Sequence, residues 1–205
     1  MGQINIDSAF GKLLYELGTC NEYKTYVEVG TWNGQGSTKC LLSGIVEKNK
    51  DAKLYSLEAN ANMYAMAKLY WMNSPSQLHL LYGVLHKNQM SLEQIEKHPM
   101  YEKLLFNGDK YKTWLVNDIN DMEQTNIVTI PEESIDVIVL DGGEFSTVYD
   151  WSVLKKKNPK VVCLDDSNVL KTYDIRKELQ ESEEWITVED QPMDRNGWCI
   201  FKRKK

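Results

Sequence analysis

"YVEVGTWNGQGST", residues 26–38, begins as an apolar, β-branched run and ends with three glycines in seven residues. Such a run bounded by glycine reads as a strand buried on both faces. The bare backbone after it lets N–H groups approach a ligand closely. Glu28 stands two positions before Gly30, and a carboxylate there disfavours a phosphate and suits an ammonium. The spacing E-x-G-x-x-x-G (Glu28, Gly30, Gly34) also differs from the dinucleotide pattern G-x-G-x-x-G.

Downstream, "KLYSLEA" (53–59) ends its apolar run in Glu58, 22 residues past Gly36. Nucleoside-binding folds place an acid at that point to accept the ribose hydroxyls. A ligand with a ribose and an ammonium but no pyrophosphate is described. S-adenosylmethionine fits, carrying an adenosine, a methionine ammonium and a sulfonium.

The rest of the chain continues the alternation. Upstream, Asp7 as N-cap, helical spacing of Phe10, Leu13, Leu14 and Leu17, and Gly18 as a stop predict a short amphipathic helix that packs on a sheet. A helix over about 34–48, a second through "NMYAMAKLYWM" (62–72) and a strand "LHLLYGVL" (78–85) follow. Residues 86–126 break the rhythm, with a capping-box pattern at Ser91 and Gln94 and a helical stretch "YKTWLVNDINDM" (111–122). We read them as an insertion that shapes the substrate pocket. The alternation resumes with "SIDVIVLDGG" (134–143), a helix through Trp151 and Leu154, "PKVVCLDDS" (159–167) and a helix near 169–183. "EWITVED" and "GWCIFKR", joined through "QPMDRN", read as a terminal hairpin. The expectation is one domain over 1–205, a three-layer α/β/α Rossmann-like sandwich. Its sheet is mostly parallel and seven-stranded, with an antiparallel C-terminal edge hairpin.

Of the 205 residues 42% are hydrophobic and 26% charged, which argues for a packed core rather than disorder. A net charge of −6 argues against a broad grip on phosphate backbones. Cys20, Cys40, Cys163 and Cys199 form no CxxC pair, so they are read as core thiols in a reducing compartment. "MGQINIDSAF" lacks the pattern of a signal peptide, Ile6 stands where a myristoylation signal wants Ser or Thr, and no apolar run reaches the length of a membrane span. The expected location is cytoplasmic.

On these motifs the chain resembles the class I S-adenosylmethionine-dependent methyltransferases over roughly 20–202. "VEVGTWNGQGST" is similar to their glycine motif, "LYSLEA" to the acidic end of their second strand, and the closing hairpin to their reversed seventh strand. The resemblance implies that Glu28, Gly30, Thr31, Gly34, Gly36, Ser37 and Asp141 contact the cofactor, with Glu28 and Gly30 near its methionine part and Glu58 on its ribose.

A second constellation is "VIVLDGGEF" with "VVCLDDSN", two strands that each end in carboxylates. Asp141, Asp165 and Asp166 are placed to converge, and three carboxylates in one cleft invite a hard divalent cation such as Mg²⁺. The set is similar to the metal site of small-molecule O-methyltransferases of the macrolide-sugar type, which carry the Asp-Asp pair; the catechol type has Asp-Asn. The alternative is that Asp141 hydrogen-bonds cofactor or substrate while Asp165 and Asp166 cap the next helix. Glu144 is an additional ligand or base, or starts a helix; His79, His86 and His98 show no ligand spacing and receive no role. The function expected is O-methylation of a small hydroxylated or sugar-like acceptor, with Asp141 catalytic. Its rivals are a non-catalytic nucleoside-binding module, a nucleotide-cofactor oxidoreductase and a nucleic-acid methyltransferase.

Overall fold

In the computed structural model, which describes residues 4–106 and 108–204, the strand that opens the glycine loop is β1 (Thr25–Val29). Tyr26, Val27, Glu28 and Val29 are all buried, as expected of a central strand covered by helices on both faces. The other strands are β2 (Lys53–Glu58), β3 (Leu78–Tyr82), β4 (Val137–Leu140), β5 (Val161–Asp165), β6 (Trp185–Gln191) and β7 (Trp198–Arg203). They form one seven-stranded sheet in the order β3-β2-β1-β4-β5-β7-β6. Pairing is parallel through β5, and β7 then inserts antiparallel between β5 and β6. The chain leaves β1 towards β2 and returns on the other side as β4, so the order reverses beside β1. Doubly wound sheets open a ligand crevice at that point.

Side chains alternate between two cores with the period of a strand. One face holds Tyr26, Leu54, Val139 and Cys163 under α1 (Ala9–Thr19) and α2 (Ser37–Lys48). The other holds Val27, Leu57, Ile138 and Leu164 under α7 (Thr147–Leu154) and α8 (Leu170–Glu181). The α1 helix is capped by Ser8, whose Oγ accepts the Gly11 N–H at 3.1 Å, rather than by Asp7. Gly18 does not stop it, since the helix runs on to Thr19. A Cβ on Gly18 would meet the Leu41 backbone, and one on Gly44 the Tyr15 carbonyl. These glycines let α1 and α2 pack closely, a tertiary demand that overrides their stop signal. Phe10 of α1 reaches across to stack on Trp198 of β7 with centroids 5.0 Å apart.

Between β2 and β3 lies α3 (Ala61–Tyr70), capped by Asn60. Residues 86–126 supply α4 (Leu92–Glu96), with the expected capping box of Ser91 and Gln94, then α5 (Tyr101–Leu105) and α6 (Lys110–Gln124). They share a small core in which Ile95, Tyr111 and Leu115 meet Phe145 and Leu170. The segment is thereby anchored to the loop after β4 and to the start of α8. Cys40, Cys163 and Cys199 are buried thiols and Cys20 is partly exposed. Among the described residues no helix is long and apolar enough to cross a membrane.

Candidate functional site

A cleft of about 1030 Å³ opens at the carboxyl ends of the parallel strands, walled by the glycine loop, the ends of β2, β4 and β5, and α6. Gly30 turns out of β1 with φ +97°, a conformation that disfavours any side chain, and an added Cβ would strike the Asp141 backbone. The loop is held by Gly30 and Thr31 N–H groups, which both donate to the Leu57 carbonyl at 3.0 Å. At its far end Gly36 is the N-cap of α2 and makes no side-chain cap, so the helix starts beside the cleft without a capping side chain. Gly30, Thr31, Gly36 and Ser37 line the cleft.

Two residues of the expected cofactor set do not line it. Gly34, at φ +75°, bends the loop and accepts the Trp71 indole N–H at 2.9 Å. Glu28 stands behind the loop, accepting hydroxyl donors from Thr38 at 2.5 Å and from Ser56. Thr31 joins the same network through Ser56 at 2.6 Å. Burial raises the Glu28 carboxyl, and the Ser37, Ser56 and Thr38 hydroxyls oppose the rise. Its position at the middle of the sheet, opposite Ser56 in register, turns it towards α2. Glu28 thus ties β1 to β2 and α2 and does not line the cleft, where contact with the ligand ammonium was expected of it.

Glu58 ends β2 on the cleft wall. Its Oε2 accepts the Trp32 N–H at 2.6 Å and its Oε1 the Asn60 N–H at 2.8 Å. Burial pushes this carboxyl up to about 7 against those two bonds. Asn60 in turn donates its side-chain amide to Asp121 of α6 at 3.0 and 3.2 Å. The insertion is therefore hydrogen-bonded to the turn that carries Glu58. Trp114, Asn117, Asp118 and Asp121 bring it to the cleft.

Asp141, Asp165 and Asp166 do converge, with one oxygen of each within 4.8 Å of the others. Neither Asp165 nor Asp166 caps α8, whose N-cap is Val169. Lys171 Nζ lies 2.9 Å from Asp141 Oδ1 and 2.6 Å from Asp166 Oδ2. Arg195 Nη2 lies 2.6 Å from Asp165 Oδ2. Burial raises the carboxyls of Asp141 and Asp165, the latter to about 7, while Lys171 brings Asp166 below its usual range despite burial. The donor set is the oxygen-rich one that Mg²⁺ prefers, but as arranged these carboxylates already hold an ammonium and a guanidinium.

Glu144 does not start α7; it is partly buried, and its carboxyl is raised to about 7 chiefly by desolvation, against the nearby Lys171 ammonium. Burial pushes the Asp118 carboxyl up to about 6, against the nearby Phe145 N–H and the Lys171 ammonium. His86 lines the cleft, yet its two nitrogens are engaged. Nδ1 accepts the Asn88 N–H at 3.0 Å, and Nε2 faces Asp150 at 3.0 Å. It acts as a strut between the insertion and α7. His98 likewise faces Asp174 at 3.2 Å. Lys171, Arg195, Asn60 and Asp121 were missed from sequence. The first two sit in "NVLKTYDIRK" and "QPMDRN", which read as an ordinary helix start and a turn.

No family model matches the chain, and no curated protein matches it in sequence. Solved structures do match in shape. A methyltransferase from Geobacter sulfurreducens is 12% identical with a TM-score of 0.61, covering 98% of this chain and 81% of its own. The O-methyltransferase from Bacillus cereus in complex with S-adenosylhomocysteine is 16% identical with a TM-score of 0.57, covering 95% and 80%. The O-methyltransferase TomG from Streptomyces achromogenes, involved in tomaymycin synthesis and in complex with S-adenosylmethionine, is 13% identical with a TM-score of 0.58, covering 95% and 79%. The fold is the Rossmann-like fold of these methyltransferases, a seven-stranded sheet closed by a reversed hairpin.

Proposed function

We propose that the chain is an S-adenosylmethionine-dependent O-methyltransferase acting on a small, hydroxylated or sugar-like acceptor. The observation that carries this reading is the joint placement of Glu58 and the glycine loop on one cleft at the point where strand order reverses. Glu58 would accept the two ribose hydroxyls. The loop from Gly30 to Ser37 would receive the amino-acid end of the cofactor, and Asp141 would face the sulfonium and the acceptor. The neighbours solved with S-adenosylhomocysteine or S-adenosylmethionine support the same reading. Three buried, unpaired thiols suit a reducing, cytoplasmic setting.

In the reaction so read, an acceptor oxygen attacks the methyl carbon in line with its bond to sulfur. The carbon–sulfur electron pair returns to sulfur, leaving a neutral thioether, and the hydroxyl proton passes to a carboxylate, a role we give to Asp141 on the cleft wall. Holding both partners in that line can supply on the order of 7–11 kcal/mol. Magnesium, which the resemblance implies, would be held by Asp141, Asp165 and Asp166 and would acidify the acceptor hydroxyl. As arranged, however, those acids do not fit it, because they already carry the chain's own cations. Calorimetric titration with S-adenosylhomocysteine tests the cofactor half of the proposal. Micromolar binding that Glu58→Ala weakens supports it, and no heat at saturating ligand refutes it.

A further inference from the structure

We propose that Lys171, seconded by Arg195, is the resident cation of the acid cluster. It takes the charge role that a divalent ion would have, holds Asp141 and Asp166 in place as a positioning residue, and closes the cluster to metals. The inference deepens the methyl-transfer reading, on which it rests for the location of the acceptor.

Three features of the structure lead to it. Lys171 lies in the first turn of α8, where the positive end of a helix disfavours a cation and an acid is usual. Its side chain is nevertheless only 12% exposed. Such a lysine is held there by what it bridges, Asp141 at 2.9 Å and Asp166 at 2.6 Å. The helix start is itself fixed to the cluster, since Thr172 Oγ1 donates to the Asp165 carbonyl at 2.8 Å.

Arg195 is delivered as deliberately. It sits in the turn between β6 and β7 with φ +58°, and that turn is bonded to the loop after β5. Ser167 N–H donates to the Gly197 carbonyl at 2.9 Å, Asn168 N–H to the Asn196 carbonyl at 2.8 Å, and Asn196 Nδ2 to Asp166 Oδ1 at 2.9 Å. The hairpin that closes the sheet thus carries a guanidinium to Asp165.

The charges decide between ammonium and metal. Even with all three carboxylates ionised, at −3, Lys171 and Arg195 return +2 and leave at most −1. A divalent ion on the same oxygens would sit against the ammonium, and like charges at that separation repel strongly away from bulk water. Among the described residues Asp165 Oδ1 is buried with no hydrogen-bond partner. A single such oxygen suits one donor, an acceptor hydroxyl, better than an ion that needs several oxygens at once.

Titration of the full chain with Mn²⁺, followed by electron paramagnetic resonance, tests this without an acceptor. We expect no stoichiometric binding to the wild type or to Lys171→Arg at about 100 μM Mn²⁺, a level at which a built carboxylate site would fill. Lys171→Met should gain a site at least about tenfold tighter, and adding Asp165→Asn should remove it. Stoichiometric Mn²⁺ on the wild type that Asp165→Asn abolishes would overturn the assignment, as would a folded Lys171→Met that gains nothing. If Lys171→Met does not fold, the wild-type and Lys171→Arg titrations decide alone. S-adenosylhomocysteine titrated into the same wild-type sample reports separately on the cofactor reading. Its failure to bind, beside the expected Mn²⁺ result, would remove that reading and leave the cation assignment standing.

Discussion

Glu28 and Glu58 are both buried strand carboxylates, and the sequence marks both as ligand contacts, yet the structure turns only Glu58 to the cleft. The difference is depth along the strand. Glu58 is the last residue of β2, where polar ends meet the crevice, whereas Glu28 lies opposite Ser56 inside the sheet. No local pattern distinguishes a carboxylate that meets hydroxyls of its own chain from one that lines a cleft. With its carboxyl raised to about 7, Glu58 is increasingly neutral below that pH. Affinity for S-adenosylhomocysteine should therefore rise between pH 6 and pH 8, as the ionised form becomes available to the ribose hydroxyls. Glu58→Gln should flatten that profile, which calorimetry at several pH values would reveal. Glu58→Ala should cost about 1–3 kcal/mol of binding at pH 8. Gly30→Val meets two obstacles, a φ of +97° and the Asp141 backbone. We expect a fall in melting temperature equivalent to at least about 1–3 kcal/mol together with loss of cofactor binding. A variant as stable as the wild type would contradict the packing described for the loop.

At the scale of elements, the central strands β1, β4 and β5 were the most legible, because strands buried on both faces leave continuous apolar runs. What escaped were contacts between elements distant in sequence. Gly18 reads as a helix stop until α2 is seen packed against it, and Arg195 reads as a turn residue until Asp165, 30 positions earlier, is beside it. Asp136 is a third case. It accepts the Lys24 N–H at 2.6 Å and the Thr25 N–H at 3.0 Å and pairs with Lys160 at 2.6 Å, fastening the start of β1 to the start of β4. Although burial opposes it, these donors bring its carboxyl below the usual range. A lowered carboxyl stabilises the fold above its unfolded value, near 3.9, and the gain is lost as pH falls through the folded value. Asp136→Asn should thus be less stable than the wild type by about 1–3 kcal/mol near neutrality. The gap should narrow as the pH drops below about 4. Urea unfolding at both pH values measures it, and a gap independent of pH would rule out the ionic tie.

For the whole molecule, the reversal of strand order beside β1 gathers residues from many separate stretches of chain into one cleft. Gly30, Thr31, Gly36, Ser37 and Glu58, which line one side of that cleft, lie in two short motifs and could be read from them. The other side is assembled from residues 86–126, the loop after β4, the start of α8 and the terminal hairpin, and only folding brings these together. The insertion proves more than an appendage, since Asn60 and Asp121 couple it to the turn that carries Glu58. The most direct test of the account is a crystal structure of the chain grown with S-adenosylhomocysteine. It should show both ribose hydroxyls on the Glu58 carboxylate, the amino-acid end against the Gly30 to Ser37 loop and the sulfur turned towards Asp141. A cleft that stays empty at saturating ligand, or a nucleoside bound elsewhere while Glu58 keeps only Trp32 and Asn60, would contradict it.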